Sequence, residues 1–237
     1  MEIVEIVGQA KHGVTMPLRC RVEDGSIYYV KGPSAGYSSL TKELVCGRLA
    51  HAFGLPVPEI AVLTVPRAFR GIGGAERLGL GPVFGSKEIP QAFEVSYSDL
   101  ADIPDQIAKQ ILFFDRWILN ADRILSKAGG NPNIIRSRDG FFVIDHHNAF
   151  DPDAGEADFW KTHMFGGLRE RSIDKAFQVQ FSDCCAICLE AWDDIIGAVP
   201  ERWLYIDDLM TVECQPELAA MRAILDRVNE AEFWSWI

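Results

Sequence analysis

The sequence predicts an α+β protein of two lobes, a β-rich first half with one helix followed by a mainly helical second half. Three observations predict it. Up to about residue 100, short β-rich runs alternate with Gly and Pro; within them one stretch, Ser39 to Phe53, repeats near helical spacing; beyond them the pattern turns mainly helical. At 237 residues the chain is long enough for one compact unit of two lobes sharing a cleft. The expected division is a β-rich N-terminal lobe at 1–90 and a mainly helical C-terminal lobe at 91–237.

The expected strands of the first half are Ile3 to Val7, Leu18 to Val22, Ile27 to Lys31, Glu59 to Val65 and Gly81 to Ile89. The helix over Ser39 to Phe53 has Leu40, Leu44, Gly47, Leu49 and Phe53 near helical spacing, with Ser38 or Ser39 as its cap and Gly54 as its stop. The Gly-rich segment 66–80 reads as a surface loop between strands. In the second half, helices are expected at Asp105 to Leu119, Ser182 to Ile196 and Pro216 to about Trp236, with a hairpin between Asn133 and Phe150. The aromatic end, Phe233-Trp234-Ser235-Trp236-Ile237, reads as core packing of the last helix.

Composition excludes several classes. Apolar residues make up 48% and charged residues 24%, which is globular and leaves no extended disordered tract. The net charge of −11 argues against a general nucleic-acid or anionic-membrane binder, because both need a basic surface. The start, Met1-Glu2-Ile3-Val4-Glu5, lacks the features of a signal peptide, and no apolar run reaches a membrane-spanning length. A cytoplasmic location is expected. Of six cysteines, Cys185 and Cys188 have a CxxC spacing, but no second pair completes a zinc site. They read as reduced thiols buried on one helix.

The chemistry concentrates between Asn120 and Asp145. A helix delivers Asp122-Arg123 to a loop, Asn131-Pro132-Asn133-Ile134-Ile135 begins a strand, and Gly140-Phe141-Phe142-Val143-Ile144 runs into Asp145. Phosphoryl transfer asks little covalent work of a protein. It needs one carboxylate to orient and deprotonate the attacking hydroxyl, and oxygen ligands to hold Mg2+ against the phosphates. Asp122 suits the first task and Asn133 with Asp145 the second. His146, His147 and His163 read as supporting or surface residues, since adjacent histidines on a strand face opposite sides.

This order of residues resembles the catalytic core of HipA-like kinases and, more distantly, of phosphatidylinositol kinases. The resemblance implies a two-lobed protein-kinase-like fold, Asp122 as catalytic aspartate, and Asn133 and Asp145 as metal ligands. Lys31 at the end of a β-run and Glu43 on the following helix match the kinase lysine–glutamate pair. The phrase from Lys42 to Pro58 also resembles the HipA-like helix that carries this glutamate. The segment from Gly8 to Pro17, with Gly8 and Gly13, corresponds to the phosphate-covering loop, where Thr15 matches a phosphorylatable position. Ser86 and Glu88 fall where an inter-lobe hinge would offer backbone groups to adenine.

Two departures stand out. Ile124 replaces the usual histidine and Leu125 to Gly130 lengthen the loop, while His146-His147 follow Asp145 in place of Phe-Gly. The implied activity is transfer of the γ-phosphoryl group of Mg-ATP to a Ser or Thr hydroxyl on a protein, with an antitoxin-like partner among the implied associations. Two alternatives stay open from the residues alone: a small-molecule or lipid acceptor on the same fold, and a catalytically degenerate binding module.

Overall fold

The computed structural model describes residues 1–10, 16–168 and 174–234. The first half builds a five-stranded antiparallel sheet in the order β1-β2-β3-β5-β4. Its strands are β1 (Ile3–Gln9), β2 (Leu18–Val22), β3 (Ile27–Lys31), β4 (Ile60–Val65) and β5 (Gly81–Lys87). Strict alternation builds β2, where Leu18, Cys20 and Val22 are buried while Arg19 and Arg21 reach toward solvent. The inward faces of the sheet close over a core that includes Ile3, Tyr28, Val30, Leu63 and Val83.

Helix α1 (Tyr37–Phe53) crosses between β3 and β4 and is buried on most of its circumference. Its start is Gly36, with no side-chain cap, so the expected Ser38 or Ser39 cap is not used. Ser38 instead donates to the Gln215 carbonyl at 2.7 Å. Its end matches expectation: Gly54 takes the left-handed conformation, φ 91°, and closes the helix through its N–H. The segment 66–80 joins β4 to β5 with short 3-10 turns at Arg67–Phe69 and Ala75–Arg77.

The second half is mainly helical. It contains α2 (Asp105–Trp117), α3 (Glu156–Thr162), α4 (Lys175–Glu190), α5 (Trp192–Gly197), α6 (Leu218–Asp226) and α7 (Ala231–Trp234). The expected helices at 182–196 and 216–236 are thus each divided, the first at Ala191 and the second by a 3-10 turn at Arg227–Asn229. Ser235, Trp236 and Ile237 lie outside the described residues. Phe233 is buried and Trp234 meets Phe181 edge-on at 5.9 Å, so this end packs as core up to Trp234.

Helix α1 belongs to the core of this half as much as to its own. Leu40, Leu44, Leu49 and Phe53 join Phe114, Trp117, Phe181 and Trp203 in one apolar cluster. Phe53 lies 5.4 Å from Phe114 and 5.1 Å from Phe181, ring to ring. The sheet therefore carries its own core, and α1 fastens it to the helices. Among the described residues the cysteines are free, and burial raises the Cys185 and Cys188 thiols, as expected of inert core thiols.

Between α2 and α3 the chain is extended. Strands β9 (Ile134–Ser137) and β10 (Gly140–Val143) pair as the expected hairpin, and β6 (Phe93–Glu94) adds to the edge of β9. Strands β7 (Ile124–Ser126) and β8 (Gly129–Asn131) form a separate hairpin. The lengthened loop is thus an ordered projection that leaves and rejoins the core on adjacent residues.

Candidate active site

Lys31, the last residue of β3, reaches the first turns of α1. Its Nζ donates to Glu43 Oε1 and lies 3.1 Å from Asp145 Oδ1. Lys31 is only 8% exposed, which makes this a desolvated cation between two carboxylates. Burial alone would lower its pKa, but Glu43 and then Asp145 outweigh that and raise it, so the ammonium is held charged. Burial pushes the Glu43 carboxyl up to about 7 against the pull of Lys31. Glu43 is further fixed by the His146 N–H, which donates to Oε2 at 3.1 Å. Lys31 and Glu43 are therefore in contact, and Asp145 joins them.

Asp145 follows β10 and sits in the left-handed conformation, φ 57°. Asn133, just before β9, is left-handed too, φ 47°. A non-glycine residue at positive φ costs about 1–3 kcal/mol and persists only where its surroundings fix it. Here the hairpin fixes both: Ile144 N–H donates to Asn133 O at 3.0 Å, which sets Asn133 and Asp145 at the same end of β9 and β10. Burial opposes ionisation of Asp145, but His147 Nδ1 on its Oδ1, and then Lys31, hold its carboxyl well below the usual range. His146 is buried with its ring against Phe114, so it supports the site and does not enter it.

Asp122 comes next in space to Asn133. Asn133 Nδ2 donates to Asp122 Oδ2 at 3.3 Å, and Asn131 Nδ2 donates to the same oxygen at 2.8 Å. With its nitrogen so engaged, the Asn133 amide oxygen accepts no hydrogen bond among the described residues. A carboxylate and an amide oxygen are hard donors of the kind Mg2+ takes, so Asp145 and Asn133 fit that ion.

A buried network that the sequence did not reveal holds this loop. Arg123 is fully buried. Its Nε donates to Asp115 Oδ2 at 2.6 Å, and its Nη1 reaches the carbonyls of Pro132 and Asn133 at 3.2 and 2.5 Å. Asp115 also accepts from Asn120 Nδ2 at 2.8 Å and from His163 Nε2 at 3.0 Å. Phe165 N–H donates to His163 Nδ1, so the ring proton sits on Nε2 and points at Asp115. Burial resists ionisation of Asp115, but Arg123 and His163 overcome it and lower its pKa. Burial lowers the His163 pKa, keeping the ring neutral. Asp115 and His163 are 48 residues apart, with no local pattern to join them.

The remaining expected residues are not gathered here. Gly8 lies exposed in β1, paired with Arg19, and Gly13 and Thr15 lie outside the described residues. Ser86 is in β5, flanked by Tyr29 of β3 and Ile60 of β4. The N–H groups of Lys87 and Glu88 already donate to Glu59 O and Ile27 O, both at 2.8 Å. The Glu88 carboxylate binds Arg19 at 2.6 and 2.8 Å. Because β5 runs inside the sheet, those amides are not available to an adenine edge. A hinge contact would have to come from other backbone groups.

The family described as HipA-like kinase matches residues 3–237. No curated protein matches the chain. Among solved structures, the chain is similar to the Helicobacter pylori proinflammatory kinase CtkA at 14% identity over 90% of each chain, with a TM-score of 0.45. Among the described residues, no helix is long and apolar enough to cross a membrane.

Proposed function

The chain belongs to the HipA-like kinase family, and from that premise we propose that it transfers the γ-phosphoryl group of Mg-ATP to a hydroxyl on a protein. The observation that carries this reading is the convergence of the buried Lys31 and Glu43 with the half-buried Asp145, with Asn133 at the same end of the hairpin and Asp122 beside it. A degenerate module would have no physical need to keep a desolvated lysine between two carboxylates, because breaking such a group costs several kcal/mol and hydrophobic packing would replace it at no loss.

Each residue has a definable task. Lys31 offers its ammonium to the nucleotide phosphates, and Glu43 holds the lysine side chain in place. Asp122, steadied through Oδ2 by Asn131 and Asn133, accepts the proton of the attacking hydroxyl on Oδ1 as the new O–P bond forms and the bond to the leaving nucleoside diphosphate breaks. Asn133 and Asp145 are the residues that would hold Mg2+, whose positive charge offsets the negative charge on the phosphates. In that role the Asp145 carboxylate, which now meets Lys31 and His147, would give oxygen to the ion.

The test is incubation of the purified protein with γ-labelled ATP and Mg2+, alone and with cell extract, beside Asp122→Ala and Asp145→Asn. Label on protein in the wild type only supports the reading. Label confined to small metabolites points to the small-molecule alternative, and equal behaviour of all three proteins excludes catalysis by this site.

A further inference from the structure

The hairpin of β7 and β8 does more than accommodate extra residues. It forms one wall of a trough of about 570 Å³ whose other wall is the segment from Glu94 to Ser98. Glu94 and Tyr97 line one side, Lys127, Gly129 and Gly130 the other, and Pro132 lies at the end nearest the catalytic loop. Pro132 of its lining precedes Asn133, whose Nδ2 donates to Asp122 Oδ2 at 3.3 Å, so the trough borders the loop that carries the proposed base. Its walls are solvent-exposed along 96–98 and 126–130, which makes it an open channel and not an enclosed pocket.

Three features define what fits. First, β6 is an edge strand. Val95 N–H donates inward to Ile134 O, so by the alternation of a strand the N–H and C=O of Glu94 face away from β9 toward the trough. Second, the opposite wall presents Gly129 and Gly130, bare backbone that another chain can approach closely. Third, Glu94 makes no ion pair among the described residues, and the protein carries a net charge of −11. Lys127 reaches across from the opposite wall, its Nζ 5.9 Å from the Tyr97 ring centroid, so the acceptor's basic residue meets Glu94 beyond that contact.

We infer that this trough binds the acceptor as an extended polypeptide, which pairs its backbone with the edge at Glu94, sets a basic residue against the Glu94 carboxylate and delivers a hydroxyl to Asp122. The inference rests on the kinase reading above and names the substrate class for it.

The experiment uses a degenerate peptide library with a central Ser or Thr, γ-labelled ATP and Mg2+, with ATP binding measured in parallel for every protein. Wild type is expected to favour Arg or Lys at one fixed position. Glu94→Lys should reverse that preference to Asp or Glu by about fivefold to tenfold, the scale of an exposed ion pair turned into a repulsion. Tyr97→Ala should raise KM for the preferred peptide with kcat and ATP affinity unchanged. An unaltered preference in Glu94→Lys, or no labelled peptide from a wild type that binds Mg-ATP, overturns the trough as acceptor site and leaves the kinase reading standing. Failure of wild type to bind Mg-ATP at all removes both.

Discussion

Replacing Asp115 with alanine tests how the catalytic loop is held. In the native protein the Arg123 guanidinium is fully buried, and Asp115 is its counter-charge at 2.6 Å. Removing one partner of a buried pair leaves an uncompensated charge and costs about 3–5 kcal/mol. The change also strips an acceptor from Asn120 Nδ2 and His163 Nε2, so the upper end of that range applies. A domain of this kind has about 5–15 kcal/mol in total, so the loss is a large share. With a urea dependence of about 2 kcal/mol per molar, the midpoint should fall by roughly 2.5 M.

A second substitution separates charge from packing. Asp115→Leu with Arg123→Met removes both charges, and what remains is the cost of leaving the Pro132 and Asn133 carbonyls, Asn120 Nδ2 and the His163 N–H without partners, about 1–3 kcal/mol each. The double variant should therefore lose less than the sum of the two single ones. Equilibrium urea unfolding of all four proteins measures this. A loss below about 1 kcal/mol for Asp115→Ala, or strict additivity in the cycle, would refute the idea that this ion pair anchors the loop.

Other expectations concern chemistry, pH and space. Asp122→Asn should lower phosphoryl transfer by about 10²–10⁴-fold, the usual worth of a general base, while nucleotide affinity stays near wild type. Burial lowers the His163 pKa, so below the unfolded value of about 6.5 the unfolded chain takes up a proton that the native ring refuses, and stability falls as pH falls. His163→Gln removes that titration; its stability curve between pH 7 and 5 should be flatter than wild type, and parallel curves would contradict the assignment. Gly32→Ala places a Cβ 2.4 Å from the backbone of Leu78, and overpacking of this kind should cost about 1–3 kcal/mol in thermal or urea unfolding.

The strands were legible where one face alone is buried. Leu18 to Val22 and Ile27 to Lys31 have the bounds that alternation gives, and Gly54 ends α1 because only a left-handed residue can close it there. Lys31 and Glu43 were legible because a strand end and a helix turn twelve residues apart place them locally. What lay hidden depends on contacts remote in sequence. The position of β5 between β3 and β4 uses the amides of Lys87 and Glu88, which no local pattern announces. The Asp115–His163 contact and the burial of Arg123 arise only once α2, the catalytic loop and the end of α3 pack together. The breaks after α4 and α6 interrupt apolar spacing that continues through them.

The central claim is that Asp145, Asn133 and Lys31 together hold a metal–nucleotide pair. Isothermal calorimetry of ATP binding with and without Mg2+, in wild type and Asp145→Asn, tests it most directly. Wild type should bind ATP more tightly when Mg2+ is present, and Asp145→Asn should lose most of that enhancement while remaining folded. Equal Mg2+ enhancement in both proteins, or no ATP binding by wild type, would contradict the account.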